Sequence, residues 1–241
     1  MICLYFDSGI IPDLRNKDAT KELISSLPFF GIKSCFIICT LETLPLFKDL
    51  KAQFPYLDFY SRCILHPNDI ESLKRDIKKY SNKFDLVSVQ THIPEILNFA
   101  ARDSRFHILC LRTKDEWSAF NAGIGSLAFQ FSAGVEFPLD FLIKTETANS
   151  IMIRLCRKAV NIALHTNAPI LLSSFATSKF DLIGGQEIRF LANTILGIPL
   201  GTGQKIISFF PQLVLKKNNH QLAGKEEGLR VITNSQEMKK I

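Results

Sequence analysis

Short apolar runs alternate with longer amphipathic stretches along most of this chain. The runs are ICLYF (2–6), KSCFIIC (33–39), LDFYSRCIL (57–65), FDLVSVQ (84–90), FHILCL (106–111), SLAFQF (126–131), PILLSS (169–174) and QLVLK (212–216). Each is rich in Ile, Leu, Val, Phe or Cys, as strands buried on both faces must be. Between them, apolar residues recur at three- and four-residue spacing over 18–27, 42–53, 68–81, 93–103, 114–122, 146–166, 185–196 and 202–210, which predicts helices. Such alternation implies right-handed βαβ units and a parallel sheet. Eight strands in 241 residues suit a closed (β/α) barrel of the TIM type, whose usual length is about 250. An open doubly wound sheet is the alternative, but no GxGxxG follows the first strand. The barrel is the predicted fold, over residues 1–218. Residues 219–241 are polar and charged around one apolar island, GLRVI, and read as a C-terminal tail with a short docking segment.

Punctuation supports these bounds. Pro94 suits the first turn of a helix, Pro169 stops the long helix before the seventh run, and Thr202 is placed to cap the helix after it. With 46% hydrophobic and 22% charged residues, wholesale disorder is excluded. No apolar run reaches the roughly 18–20 residues of a membrane helix, and the start, MICLYFDSGIIPDL, lacks the basic n-region of a signal peptide. The six cysteines (3, 35, 39, 63, 110 and 156) form no CxxC, and Cys35-x3-Cys39 has no second ligand pair. Reduced thiols of a cytoplasmic protein are expected.

Charge adds one asymmetry. Between Lys144 and Lys217 stand nine Lys or Arg residues against three acids, which accounts for the whole formal excess of +6. A basic region of this kind implies an anionic partner or a solvated face. Within it, Arg154, Arg157 or Lys158, Asn161 and His165 share one stripe of the longest helix.

In a barrel the chemistry lies at the C-terminal ends of the strands. The residues offered there are Asp7, Thr40, Glu42, His66, Gln90, Thr91, His92, Arg112, Lys114, Ser132, Ser173, Ser174 and Lys179. No HxH or HExxH occurs among five histidines, but Asp7, His66 and His92 leave open an autonomous metal-dependent phosphoesterase. Ser173 and Ser174 lack a GxSxG elbow. With Gly184 and Gly185 of IGGQEIRF they form a candidate phosphate loop, which also leaves open a barrel enzyme acting on a small phosphate ester.

Three blocks together carry a family resemblance: KFDLVSVQTHIPEILNFAARDSRFHILCL (83–111), AGIGSLAFQFSAGVE (122–136) and APILLSSFATSKFDLIGGQEIRFLANTILGIPLGTGQKIISFFPQLVLKKN (168–218). Their order and spacing resemble the archaeal RNase P protein component 3 family, the 30-kDa-type protein subunit of ribonuclease P. Gln130 stands where that family's second block leads one to expect an acid, and Ile183 and Gly185 replace a common Arg and Pro, with Glu187 for an Asp. The resemblance implies a barrel of the polymerase and histidinol phosphatase type without its metal-binding His motif, YFDSGI standing in that place. It further implies a subunit of the endoribonuclease that removes the 5′ leader of precursor tRNA. Cleavage is expected from the RNA subunit with magnesium, this chain supplying no catalytic residue, metal site or cofactor. Its expected partners are the RNase P RNA, at least one other protein subunit and precursor tRNA, with no membrane. Charge and placement nominate Arg112, Lys114, Lys144, Arg154, Lys158, Lys179 and Lys205 for RNA contact.

Overall fold

The computed structural model describes residues 5–143 and 150–226. Seven parallel strands follow one another around a sheet in sequence order: β1 (Tyr5–Ile10), β2 (Ile32–Ile38), β3 (Asp58–Leu65), β4 (Leu86–Gln90), β5 (Ile108–Cys110), β6 (Gly134–Pro138) and β7 (Ile170–Ser173). Between β1 and β7 the backbone of Phe175 donates to Gly9 O (3.0 Å) and that of Ile11 to Ala176 O (2.9 Å), beside an Ile10–Ala176 bridge. The sheet therefore closes at its C-terminal end. At the foot of the same seam Phe6 N donates to Ile207 O (2.8 Å), so a turn between helices occupies the place of an eighth strand.

Helices cover the outside: α1 (Lys17–Ser26), α2 (Leu44–Gln53), α3 (Ile70–Tyr80), α4 (Pro94–Arg102), α5 (Lys114–Ala119), α6 (Ala122–Gln130), α7 (Asp140–Ile143), α8 (Ser150–His165), α9 (Gly185–Thr194), α10 (Leu200–Ile206) and α11 (Phe209–Glu226). Their starts follow local chemistry. Asn16 caps α1, Asp69 and Ser72 cap each other's amides at α3, and Thr113 with Glu116 does the same at α5. The cap of α10 is Pro199; Thr202 lies inside that helix.

Two predicted strands are helices. SLAFQF belongs to α6, because Asn121 accepts the amide of Ile124 (3.1 Å) and commits the segment to a helix that buries Ile124 and Ala128. The sixth strand is instead GVEFP, 134–138. QLVLK belongs to α11, and its Val214 seals the barrel floor with Phe6, Phe36, Leu86, Ile108 and Leu171. A short apolar run cannot be assigned to strand or buried helix by periodicity alone. Gly134 permits this seal: a Cβ there would lie 2.7 Å from Leu171 Cδ1 and 3.1 Å from Val214 Cγ2. Helix α11 runs through position 218 to Glu226; the island GLRVI lies outside the described residues.

Candidate functional site

Above that apolar floor the barrel interior is polar. Arg62 of β3 is wholly buried, and its guanidinium meets the equally buried Glu136 of β6 through Nη1–Oε1 (2.7 Å) and Nη2–Oε2 (2.5 Å). Nη1 also donates to Ser8 O (2.7 Å) and Nε to Ser88 Oγ (2.9 Å), which in turn donates to Cys63 O (2.9 Å). Burial alone would lower the Arg62 pKa; the Glu136 carboxylate more than offsets it, and the net shift is upward. A bidentate pair with further hydrogen bonds from Nε and Nη1 is what a charge needs in this environment.

Phe175 roofs this layer. Its ring lies 6.0 Å from the Arg62 guanidinium carbon and 5.4 Å from that of Arg112. The backbone there takes φ 48°, a left-handed conformation uncommon for a bulky residue. Gly9 makes the room: a Cβ at that position would sit 2.8 Å from Phe175 Cε2.

Above the ring opens a cleft of about 590 Å³ at the barrel mouth, lined by Arg15, Thr40, Glu42, His66, Gln90 and Arg112 among others. Its charges are already answered. Arg112 donates to Asp140 Oδ2 through Nε (3.1 Å) and Nη2 (2.6 Å), and Arg15 pairs with Glu42 (2.7 Å). Glu116 collects the amides of Arg112 and Thr113 and the Gln90 side chain, tying the loop after β5 to the mouth.

The phosphoesterase set does not assemble. Asp7 lies within β1, on the face that carries Tyr5, buried, with Oδ1 accepting from Gly9 N (3.0 Å) and Ser174 N (3.3 Å). Burial pushes its carboxyl up to about 6, although Ser174 and Gly9 pull the other way. His66 lines the mouth and His92 is exposed outside that lining. Among the described residues no three His, Cys, Asp or Glu side chains gather as metal ligands would. The five described cysteines are free and buried, with burial pushing their thiols up, Cys39, Cys63 and Cys156 to about 12. No described helix is long and apolar enough to cross a membrane.

The loop after β7 does not stay at the mouth. It runs down the outside to the foot of β1, where Tyr5 donates to Ile183 O and packs its ring against Gly185. Gly184, Gly185, Ser173 and Ser174 are all buried, and the Glu187 carboxylate lies over Gly184 at the start of α9.

The basic candidates separate into regions. Arg112 and Lys114 stand at the mouth, Arg154 and Lys158 on the outer face of α8, and Lys205 near the foot. Lys179 pairs with Glu22 of α1 (2.7 Å), and Lys144 lies outside the described residues. Gln130 closes α6; the acid of that block is Glu136. Sequence reasoning missed Arg62, Glu136 and Phe175. The available signal was a charged residue inside each of two otherwise buried segments, YSRCI and GVEFP.

Comparison with known proteins places these features. A family model described as RNase P subunit p30 matches residues 5–222. No curated protein matches. Among solved structures, a chain of a cryo-EM structure of archaeal ribonuclease P with mature tRNA aligns with TM-score 0.72 and 14% identity, covering 95% of this chain and 100% of that one. A crystal structure of an uncharacterized protein aligns with TM-score 0.53 and 10% identity, covering 89% and 74%. At these identities the structural likeness concerns the fold.

Proposed function

This chain belongs to the RNase P subunit p30 family, and on that premise we propose that its barrel is a binding element of the ribonucleoprotein with no cleavage machinery of its own. The chain is a protein subunit of ribonuclease P, a tRNA-processing complex, and works with RNA, tRNA and further protein. The RNA subunit with magnesium carries out the phosphodiester cleavage, and this protein stabilises the folded RNA.

One observation carries the reading. At the barrel mouth, where an enzyme of this fold keeps its reacting groups, Arg112 is bound to Asp140 and Arg15 to Glu42, and the interior beneath is closed by the Arg62–Glu136 pair under the Phe175 ring. A guanidinium locked to a carboxylate is neither a base nor a nucleophile at neutral pH.

Reconstituted cleavage of precursor tRNA at limiting magnesium tests this. Adding the chain to the RNA and the other protein subunits should raise the rate or lower the magnesium requirement. The chain alone should give no product. Equal rates with and without it, or product from the chain alone, would overturn the proposal.

A further inference from the structure

The geometry points to the outer face of α8 as the surface on which this protein holds the phosphate backbone of its RNA. The inference rests on the proposed binding role and narrows it to one face of the barrel.

Helix α8 is oriented by its inner side. Cys156, Ala159, Val160 and Ala163 are buried against the barrel, which turns Arg154, Arg157, Lys158, Asn161 and His165 to solvent. These five line a shallow, open cleft of about 660 Å³. From Arg154 to His165 they extend along about 16 Å of helix axis, at 1.5 Å per residue. A rigid helix thus presents a row of donors.

Three cations at the mouth and in the loop after β7 are engaged. Arg112 is held by Asp140, Arg15 by Glu42 and Lys179 by Glu22. Among the described residues Arg154, Arg157 and Lys158 form no ion pair, and no acid lines their cleft. A polyanion meeting Arg112 or Arg15 at the mouth must first break an internal pair; on α8 it meets three neighbouring cations already directed at solvent. Arginine forks match phosphate oxygens bidentately. An acidic protein partner fits less well. Protein interfaces carry aromatic and apolar anchors, whereas this cleft has two isoleucines, Ile153 and Ile162, and no aromatic ring.

The test is the salt dependence of binding between the full chain and the RNase P RNA. Arg154→Ala/Lys158→Ala should make the slope of log affinity against log salt shallower by about 1.5, at 0.7–0.9 for each phosphate no longer neutralised. Arg154→Lys should keep most of the slope, and Lys78→Ala, on α3 across the barrel, should keep all of it. Thermal melts of each variant establish that it is folded. An unchanged slope in the folded double variant overturns the inference. So does flattening by Lys114→Ala alone, which would assign the mouth. Loss of protein-subunit assembly with an intact RNA slope would make the face a protein interface and also overturn it. If the wild-type chain shows no salt-dependent RNA affinity, the failure belongs to the binding role itself.

Discussion

Arg62 and Glu136 face each other across the barrel interior from β3 and β6, joined by two hydrogen bonds of 2.7 and 2.5 Å with neither side chain reaching solvent. They stand 74 residues apart in the chain. Each makes the other tolerable at that depth.

Removing one partner should therefore cost more than removing both. Glu136→Leu or Arg62→Met alone leaves an uncompensated buried charge, and either should cost about 3–5 kcal/mol. Arg62→Met with Glu136→Leu should recover much of that loss, since apolar replacement of a whole buried pair is often near neutral. Urea unfolding of the four proteins checks it. Additive losses in the double variant would mean that the two residues do not act as a pair.

Asp7 should give the fold a pH dependence. Its folded pKa, about 6 against an ordinary 3.8, is raised by burial, so the folded state favours the protonated form. The stabilisation from this group is full below pH 3.8 and is lost as pH rises towards 6. The loss is about 3 kcal/mol, at 1.36 kcal/mol per pKa unit. Asp7→Asn, neutral throughout, should gain on the wild type across that window and hold its advantage above it. Parallel stability curves for the two proteins across that window would contradict this.

The seal beneath the barrel predicts a steric effect. Gly134→Ala places a methyl 2.7 Å from Leu171 Cδ1 and 3.1 Å from Val214 Cγ2. It should cost about 1–3 kcal/mol by overpacking. Adding Val214→Ala relieves one of these two clashes, so its cost in the Gly134→Ala background should be smaller than its cost in the wild type. Thermal or denaturant melts of the cycle measure the coupling.

The mouth histidine supplies a functional control. His66 lines the cleft without convergent acidic or imidazole partners among the described residues. His66→Ala should leave cleavage by the reconstituted complex unchanged, and the purified chain with added Zn²⁺ or Mn²⁺ should give no turnover. A rate that falls with His66→Ala at saturating RNA would put chemistry back into the mouth.

Where local signals agreed, the elements follow directly. The predicted helices over 68–81, 93–103 and 185–196 match α3, α4 and α9 to within about two residues at each end; the first apolar run meets β1 at Tyr5 and Phe6, the second overlaps β2, and the third, fourth, fifth and seventh contain strands. SLAFQF and QLVLK went the other way because a short apolar run satisfies either period. A cap at Asn121 and an apolar barrel floor in need of a plug settled them.

The sequence alone determined a parallel βα barrel, the placing of its first five strands and of the seventh, its basic second half and the family pattern. Each depends on periodicity, composition or spacing, which are properties of neighbours along the chain. Only the tertiary structure decided that the ring has seven strands with a helical plug and that Glu136 is neutralised by Arg62. It also decided that Arg112 and Arg15 at the mouth are paired, while the α8 cations have no ion-pair partner among the described residues. Those outcomes depend on which distant residues meet, and burial gives a charge its meaning only once its partner across the barrel is in place.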